Sequence, residues 1–283
     1  MAERPGRKPR KLHSAQVVRT ERLTPHVQRI VLGGDGLAEF SADTWTDHYV
    51  KLLFAPVAGM TYPEPFDLER IRAELPREQW PVTRTYTVRA WDGEHRELTL
   101  DFVIHGDEGL AGPWATRVRP GETLRFFGPG GAYTPDVTAD WHLFVGDESA
   151  LPAIARALET LPPGTPAHAF VEVSGPEEEQ KIDSDVEVVW LHRGDRPVGE
   201  FLLEAVGALR FPEGRPHAFV HGEASFVKAL RRTLRVEAGI PREDLSISGY
   251  WRLGHDEDGW QASKPEWNAR IEAEQENSGA AGA

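Results

Sequence analysis

Near Pro135 the chain changes its rhythm, and that change constrains the fold more than any other feature of the sequence. Before it lie six short stretches, residues 14–20, 27–32, 49–54, 85–91, 97–104 and 123–127. They are rich in β-branched and aromatic residues and are bounded by Gly, Pro or Asp. Such runs predict six strands closing into an antiparallel barrel. After Pro135, buried-type strands at 141–146, 167–173, 187–191, 217–221 and 245–250 alternate with helical stretches at 150–160, 201–208 and 225–237. In the last helix Phe226, Leu230 and Leu234 recur in helical step, with Lys228, Arg231, Arg232 and Arg235 between them. That alternation predicts a parallel sheet with helices on both faces. The expected domains are therefore a β-barrel at 12–135 and an α/β domain at 136–254. A basic tail at 1–11 and a polar extension at 255–283 flank them, the tail and the end of the extension expected to be disordered. Within the barrel, 55–82 reads as an irregular Pro-rich insertion over one barrel edge, and 113–119 as a short helix.

Composition narrows the chemistry. At 283 residues the chain exceeds one ordinary hydrophobic core, and 40% hydrophobic residues suffice for two. The absence of cysteine excludes disulfides, thiolate nucleophiles, Cys-ligated clusters and Cys-type zinc sites, so redox chemistry would need an organic cofactor or a metal held by N and O ligands. Eleven histidines are scattered without metal-ligand spacing, and no protein-held metal is expected. A net charge of −13, with a basic tail that leaves the body more acidic still, disfavours nucleic acid. No apolar run approaches the roughly 20 residues of a membrane helix. The first dozen residues lack a signal-peptide apolar stretch, so a cytoplasmic chain acting as a monomer is expected.

Three segments carry chemistry. In Arg84-Thr85-Tyr86-Thr87, alternation along a strand sets Arg84 and Tyr86 on one face, Thr85 and Thr87 on the other. Together they offer a guanidinium fork for a phosphate, an aromatic plane and small donors. Asp101-Phe102-Val103-Ile104-His105-Gly106 then leads into Gly109-Leu110-Ala111-Gly112-Pro113-Trp114-Ala115, where small residues and a Pro-started helix suit an anion. Alone, each segment also reads as an amphipathic strand or a Gly-rich hairpin loop.

In this order and spacing, R-x-Y-T, D-F-V-x-H-G and G-x-A-G-P-W-A resemble the siderophore-interacting proteins, FAD-dependent ferric-siderophore reductases of the ferredoxin-reductase superfamily. The similarity runs on through Gly128-Pro129-Gly130-Gly131, Val145-Gly146-Asp147-Glu148-Ser149-Ala150 and Gly249-Tyr250-Trp251-Arg252. It implies an FAD-binding barrel followed by a nicotinamide-binding domain. Arg84 would hold an FAD phosphate, Thr85 would lie beside it, Tyr86 would stack on the isoalloxazine, and Thr87 would sit near flavin N5. Asp101, Val103 and His105, with the amides of Ala111, Gly112, Trp114 and Ala115, would serve the pyrophosphate and adenosine half. Gly146, Asp147, Glu148 and Ser149 would form the first nicotinamide-nucleotide turn, Gly222 and Glu223 the later one. Trp251 would cover the flavin and share the catalytic role with Thr87. Lys51 and Arg252 would face an anionic ferric siderophore.

One departure stands out. Gly146-Asp147-Glu148-Ser149-Ala150 holds a single glycine where a dehydrogenase has G-x-G-x-x-G, so the pyrophosphate would be held loosely. The donor is NADH or NADPH. Glu172, Glu177, Glu178 and Glu179 would repel a 2′-phosphate and tilt the choice to NADH, while Lys181, Arg193 or Arg196 could reverse it. A flavin reductase with another acceptor, a ferredoxin-driven reductase and a siderophore-binding module without turnover are the alternatives.

Overall fold

The computed structural model describes residues 11–280 except 58, 105, 107 and 108. The chain divides into two compact units: Met1–Glu21, Gln28–Asp43 and His48–Gly131 in the first, and Arg22–Val27, Thr44–Asp47 and Ala132–Ala283 in the second.

The first unit is built on strands β1 (Leu12–Thr24), β2 (Val27–Gly33), β3 (Tyr49–Phe54), β4 (Val82–Asp92), β5 (Glu97–Val103) and β6 (Thr123–Gly130). They close into a barrel in the order β1-β2-β5-β4-β3-β6. Alternation of side chains does the folding work. In β3, Val50, Leu52 and Phe54 are buried while Tyr49, Lys51 and Leu53 are half-exposed. Ile30, Leu32, Leu98, Leu100, Phe102 and Phe126 complete the core. β1 outruns its expected span because its distal end, from Arg19 to Arg22, is polar and exposed, which hides a strand from a hydrophobicity reading.

The insertion at 55–82 is not wholly irregular. Helix α1 (Leu68–Glu74) forms there, capped by Asp67, whose carboxylate accepts from the amides of Glu69 (2.9 Å) and Arg70 (3.1 Å). Prolines around it masked the cap in the sequence. Helix α2 (Ala111–Arg117) begins two residues before its expected start. Of the expected basic tail, residues 1–10 lie outside the described residues, and Lys11 pairs with Glu39.

The second unit holds a parallel sheet of β7 (Trp141–Gly146), β8 (Ala167–Val173), β9 (Val188–His192), β10 (Pro216–Glu223) and β11 (Leu245–Trp251). Its five strands run in the order β11-β10-β7-β8-β9. The chain winds outward from β7 through β8 to β9, then returns to β10 on the other side of β7. Helix α3 (Leu151–Thr160) packs Ile154 and Leu158 against Phe144 and Phe219 on one face. Helices α4 (Glu200–Ala208) and α5 (Ala224–Arg232) pack Leu202, Val206, Phe226 and Leu230 on Leu143 and Val220 of the other. The helix expected at 225–237 changes to a π-helical turn at Thr233–Glu237.

Within the expected polar extension the chain forms helix α6 (Glu257–Ala280), and residues 281–283 lie outside the described residues. Trp260, Trp267 and Ile271 are buried and cluster with Ala224. Their spacing of seven and four puts them on one stripe, but three apolar residues in so polar a stretch give little periodic signal. No helix among the described residues is long and apolar enough to cross a membrane.

One core position works against stability. His142, in the middle strand β7, is fully buried and both ring nitrogens lack a hydrogen-bond partner. Burial, with His217 nearby, lowers its pKa to about 4. A base depressed in the folded state contributes stability that is present above about pH 6.5 and lost as pH falls toward 4. His142→Phe is therefore expected to stabilise the protein by about 1–3 kcal/mol near neutrality, through removal of unpaired buried polar atoms. It should also flatten the acid limb of a denaturation series between pH 6.5 and 4. A wild-type acid limb in the variant would contradict this.

Candidate functional site

Each unit carries one constellation. In the barrel it centres on β4. The ladder sets Tyr86 opposite Val50 and Arg84 opposite Leu52, both fully buried partners, and sets Thr85 opposite Lys51 and Thr87 opposite Tyr49. Arg84 and Tyr86 thus share the core-facing side, while Thr85, Thr87 and Lys51 share the other. Cross-strand register of this kind cannot be read from one strand alone.

Unlike β3, β4 does not alternate. From Val82 to Thr87 every residue is half-exposed on both sides of the strand. Tyr86 rests on Phe102 with ring centroids 4.2 Å apart, and Phe102 in turn contacts Trp114 at 5.5 Å. All three sequence segments thereby meet around one aromatic ring, Phe102. Arg84 donates through Nη1 to the Thr83 carbonyl at 2.7 Å. A half-open strand with an arginine and a tyrosine on its core-facing side, beside a helix start, fits a ligand with phosphate and a planar ring. These residues therefore fit FAD.

Other expected residues divide. The Trp114 amide is spent on the Leu110 carbonyl at 3.1 Å, so Ala111 and Gly112 carry the amides that precede the helical ladder of α2. The side chains of Ala111 and Ala115 belong to the core. Asp101 is buried and grips Arg29 with both oxygens, at 2.7 and 2.8 Å, with Arg89 at 4.0 Å. Its carboxylate ties β5 to β2, a role its place in the motif did not reveal. Val103 is half-exposed, and His105 lies outside the described residues.

In the second unit the strand order makes β7 and β10 neighbours whose connections leave in opposite directions. In open α/β sheets ligands bind at the carboxyl ends of such a pair. Gly146 ends β7 and Gly222-Glu223 ends β10. A Cβ on Gly146 would stand 2.8 Å from the His221 carbonyl oxygen, so only glycine fits. The first turn uses its amides internally. Ser149 donates to Asp147 Oδ1 at 2.9 Å, Ala150 and Leu151 donate to the Asp147 carbonyl at 3.0 and 3.1 Å, and Pro152 has none to give. A nucleotide pyrophosphate would find few donors here, in keeping with the single-glycine turn.

Asp147 is fully buried and its carboxyl is pushed up to about 6 by burial, with Glu148 adding to the shift. Glu148 does not face solvent freely: Arg193 holds it at 2.9 Å and also reaches Glu172 at 3.4 Å. Glu172, at the end of β8, is fully buried, takes the Gly199 amide at 2.7 Å and leaves Oε2 without a partner. Burial raises its pKa. Burial opposes the charge of Arg193, yet the two glutamates hold its pKa above the ordinary value. The sequence offered Arg193 only as one of several cations and gave no sign of this triad, which joins the ends of β7, β8 and β9. Trp251 closes β11 with its indole on Asp147, and Arg252 follows it, half-exposed.

Both units have matches among known proteins. Residues 16–133 match the siderophore-interacting FAD-binding domain, and residues 139–254 match the siderophore-interacting protein family. The ferric vibriobactin reductase ViuB of Vibrio cholerae is 34% identical over 87% of this chain and 92% of its own. An NADPH-dependent ferric-chelate reductase of Escherichia coli is 30% identical over 83% of this chain and 91% of its own. Among solved structures, a siderophore utilization protein from T. fusca is 37% identical, covering 88% of this chain and 95% of its own, with a TM-score of 0.75. With both domains matched and relatives of this similarity over nearly their whole lengths, the chain belongs to the siderophore-interacting protein family.

Proposed function

We propose that this protein is a ferric-siderophore reductase that holds FAD in its barrel and takes reducing equivalents from a nicotinamide nucleotide docked at the β7–β10 switch point. The observation that carries the reading is β4: half-open on both sides, with Arg84 and Tyr86 on its core-facing side and Tyr86 linked through Phe102 to Trp114 of α2, inside the segment that matches an FAD-binding domain. When bound, FAD supplies the conversion of a two-electron hydride into the single electrons that Fe(III) accepts.

The chain's own residues bind and orient. Arg84 anchors a phosphate, Tyr86 offers a plane backed by Phe102, and Thr85 and Thr87 present small donors from the opposite side. Lys51 lies on that same side, directly across from Thr85, and is the barrel's cationic contact for an anionic chelate; Arg252 is the candidate cation of the second unit. Ferric iron enters within its chelator as substrate and leaves as Fe(II), which such chelators hold far more weakly. A pyridine-nucleotide donor sets the reaction in the cytoplasm.

NADH is the favoured donor. At the end of β8 the cation is Arg193, already neutralised by Glu148 and Glu172, with Glu177 and Glu179 close behind in sequence. A 2′-phosphate would meet net negative charge. The E. coli relative named for NADPH makes the comparison worth measuring on both donors. The test is turnover of NADH or NADPH with a ferric siderophore in the presence of a ferrous-specific chelator. The expected result is stoichiometric Fe(II) capture, with a higher kcat/KM for NADH. Siderophore binding without any Fe(II) would leave a binding module and sink the reductase reading.

A further inference from the structure

Asp147 sits under the switch point with no exposed surface, and all four of its hydrogen-bond donors are neutral. Oδ1 accepts from the Ser149 amide at 2.9 Å and the Ser149 hydroxyl at 2.5 Å. Oδ2 accepts from the Glu223 amide and from the indole Nε1 of Trp251, each at 2.8 Å. One carboxylate therefore clamps the first turn, the turn after β10 and the end of β11. A buried carboxylate with no cation against it is costly to desolvate, even with four donors on it. Its position calls for another explanation.

The register of β10 and β11 supplies one. Gly222 pairs with Gly249, but Glu223 pairs with Trp251, so one extra residue, Tyr250, is inserted at the carboxyl end of β11. A bulge re-aims the side chains beyond it. Tyr250 turns to His221, at 4.7 Å between ring centroids, and the Trp251 indole turns to Asp147. Glu223 reinforces the arrangement: it caps α5 through the Ser225 amide at 2.5 Å and accepts the Leu253 amide at 3.2 Å, holding the chain beyond Trp251. Gly222 keeps the clamp tight, because a Cβ there would lie 2.6 Å from Asp147 Oδ2.

We propose that Asp147 is a positioning residue for the nicotinamide nucleotide. It touches no ligand itself but fixes the Trp251 indole and the Gly222-Glu223 turn in the geometry the nucleotide meets at the switch point. This rests on the reading of the second unit as the nucleotide-docking unit. The charged groups beside the clamp are Glu148, held by Arg193, and Glu223. Fluctuation of the indole in a variant lacking the clamp weakens nucleotide affinity and leaves the acceptor side alone.

The test uses FAD-loaded protein with ferricyanide as acceptor, so that no siderophore is needed. Asp147→Ala, Trp251→Phe and the double variant are compared with wild type for nucleotide KM, ferricyanide KM and kcat. Trp251→Phe removes only the indole donor and keeps an aromatic ring, so it reports even if Asp147→Ala does not fold. Each single variant is expected to raise the nucleotide KM about tenfold, because both break the hydrogen bond from the indole to the charged carboxylate. The ferricyanide KM should not move, and the double variant should be within about twofold of Asp147→Ala. With 5-fluorotryptophan incorporated, the resonance lost in Trp251→Phe should shift in Asp147→Ala while those of the other eight of nine tryptophans stay. Unchanged nucleotide KM in Trp251→Phe, or effects that multiply in the double variant, would overturn the proposal. Wild-type protein that oxidises neither NADH nor NADPH would instead remove the docking reading on which it stands.

Discussion

Arg84→Ala protein is expected to purify almost colourless, with flavin content below about a tenth of wild type. A guanidinium fork on a phosphate makes charge-assisted hydrogen bonds of about 1.5–3 kcal/mol each, so two of them hold FAD by a factor on the order of 100 or more. Arg84 is suited to this because its strand is half-open and its Nη1 is already braced on the Thr83 carbonyl at 2.7 Å, which lowers the entropy lost on binding. Arg84→Lys keeps the charge but not the fork and should fall between the two. Flavin content measured by absorbance against protein decides the matter. Full occupancy in Arg84→Ala would return the residue to a structural role and shift the phosphate to the start of α2.

Gly222→Ala should cost about 3 kcal/mol, a fall of about 6–12 °C in Tm for a chain of this size. Two effects add. The backbone at Gly222 has φ of +142°, outside the range L side chains favour. The new methyl would also stand 2.6 Å from Asp147 Oδ2 and from the Phe226 ring, neither of which can retreat from a packed core. Gly254→Ala separates the two effects: φ there is +78°, but no atom lies within 4 Å of the added Cβ. That change should cost only about 1 kcal/mol. Equal losses in the two variants, measured by thermal or denaturant unfolding, would show that the clamp around Asp147 is slack. Gly222→Ala should also raise the nucleotide KM, since it pushes apart the turns that meet at the switch point.

Much of the fold was legible in the sequence because it rests on local periodicity. Strands such as β3, which alternates throughout, and β7, which is buried throughout, keep one pattern along their length, and their bounds follow from composition and flanking turn residues. What escaped depends on partners far away in the chain. α6 announces itself only by Trp260, Trp267 and Ile271, three residues in a polar run. α1 is the local exception, its Asp67 cap standing inside a Pro-rich stretch. At the candidate site, the segment around Arg84 and the start of α2 were visible as motifs, but the pairing of Lys51 with Thr85 comes from strand register. The burial of Asp101 under Arg29 and of Glu172 under Gly199 likewise depends on which strands become neighbours. Asp147 is the clearest case. Its motif suggested a turn that meets a ligand, whereas its carboxylate faces inward, and the bulge that brings Trp251 to it exists only once β10 and β11 pair.

The central claim is that one chain receives hydride from a nicotinamide nucleotide and delivers electrons to a ferric siderophore through FAD. The most direct measurement is the visible spectrum of the purified, FAD-loaded protein under nitrogen, titrated first with NADH or NADPH and then with a ferric siderophore. The oxidised flavin band should bleach with the nucleotide, faster with NADH, and return when the ferric chelate is added. A flavin band that neither nucleotide bleaches, or one that bleaches and does not return with any ferric chelate, would contradict it.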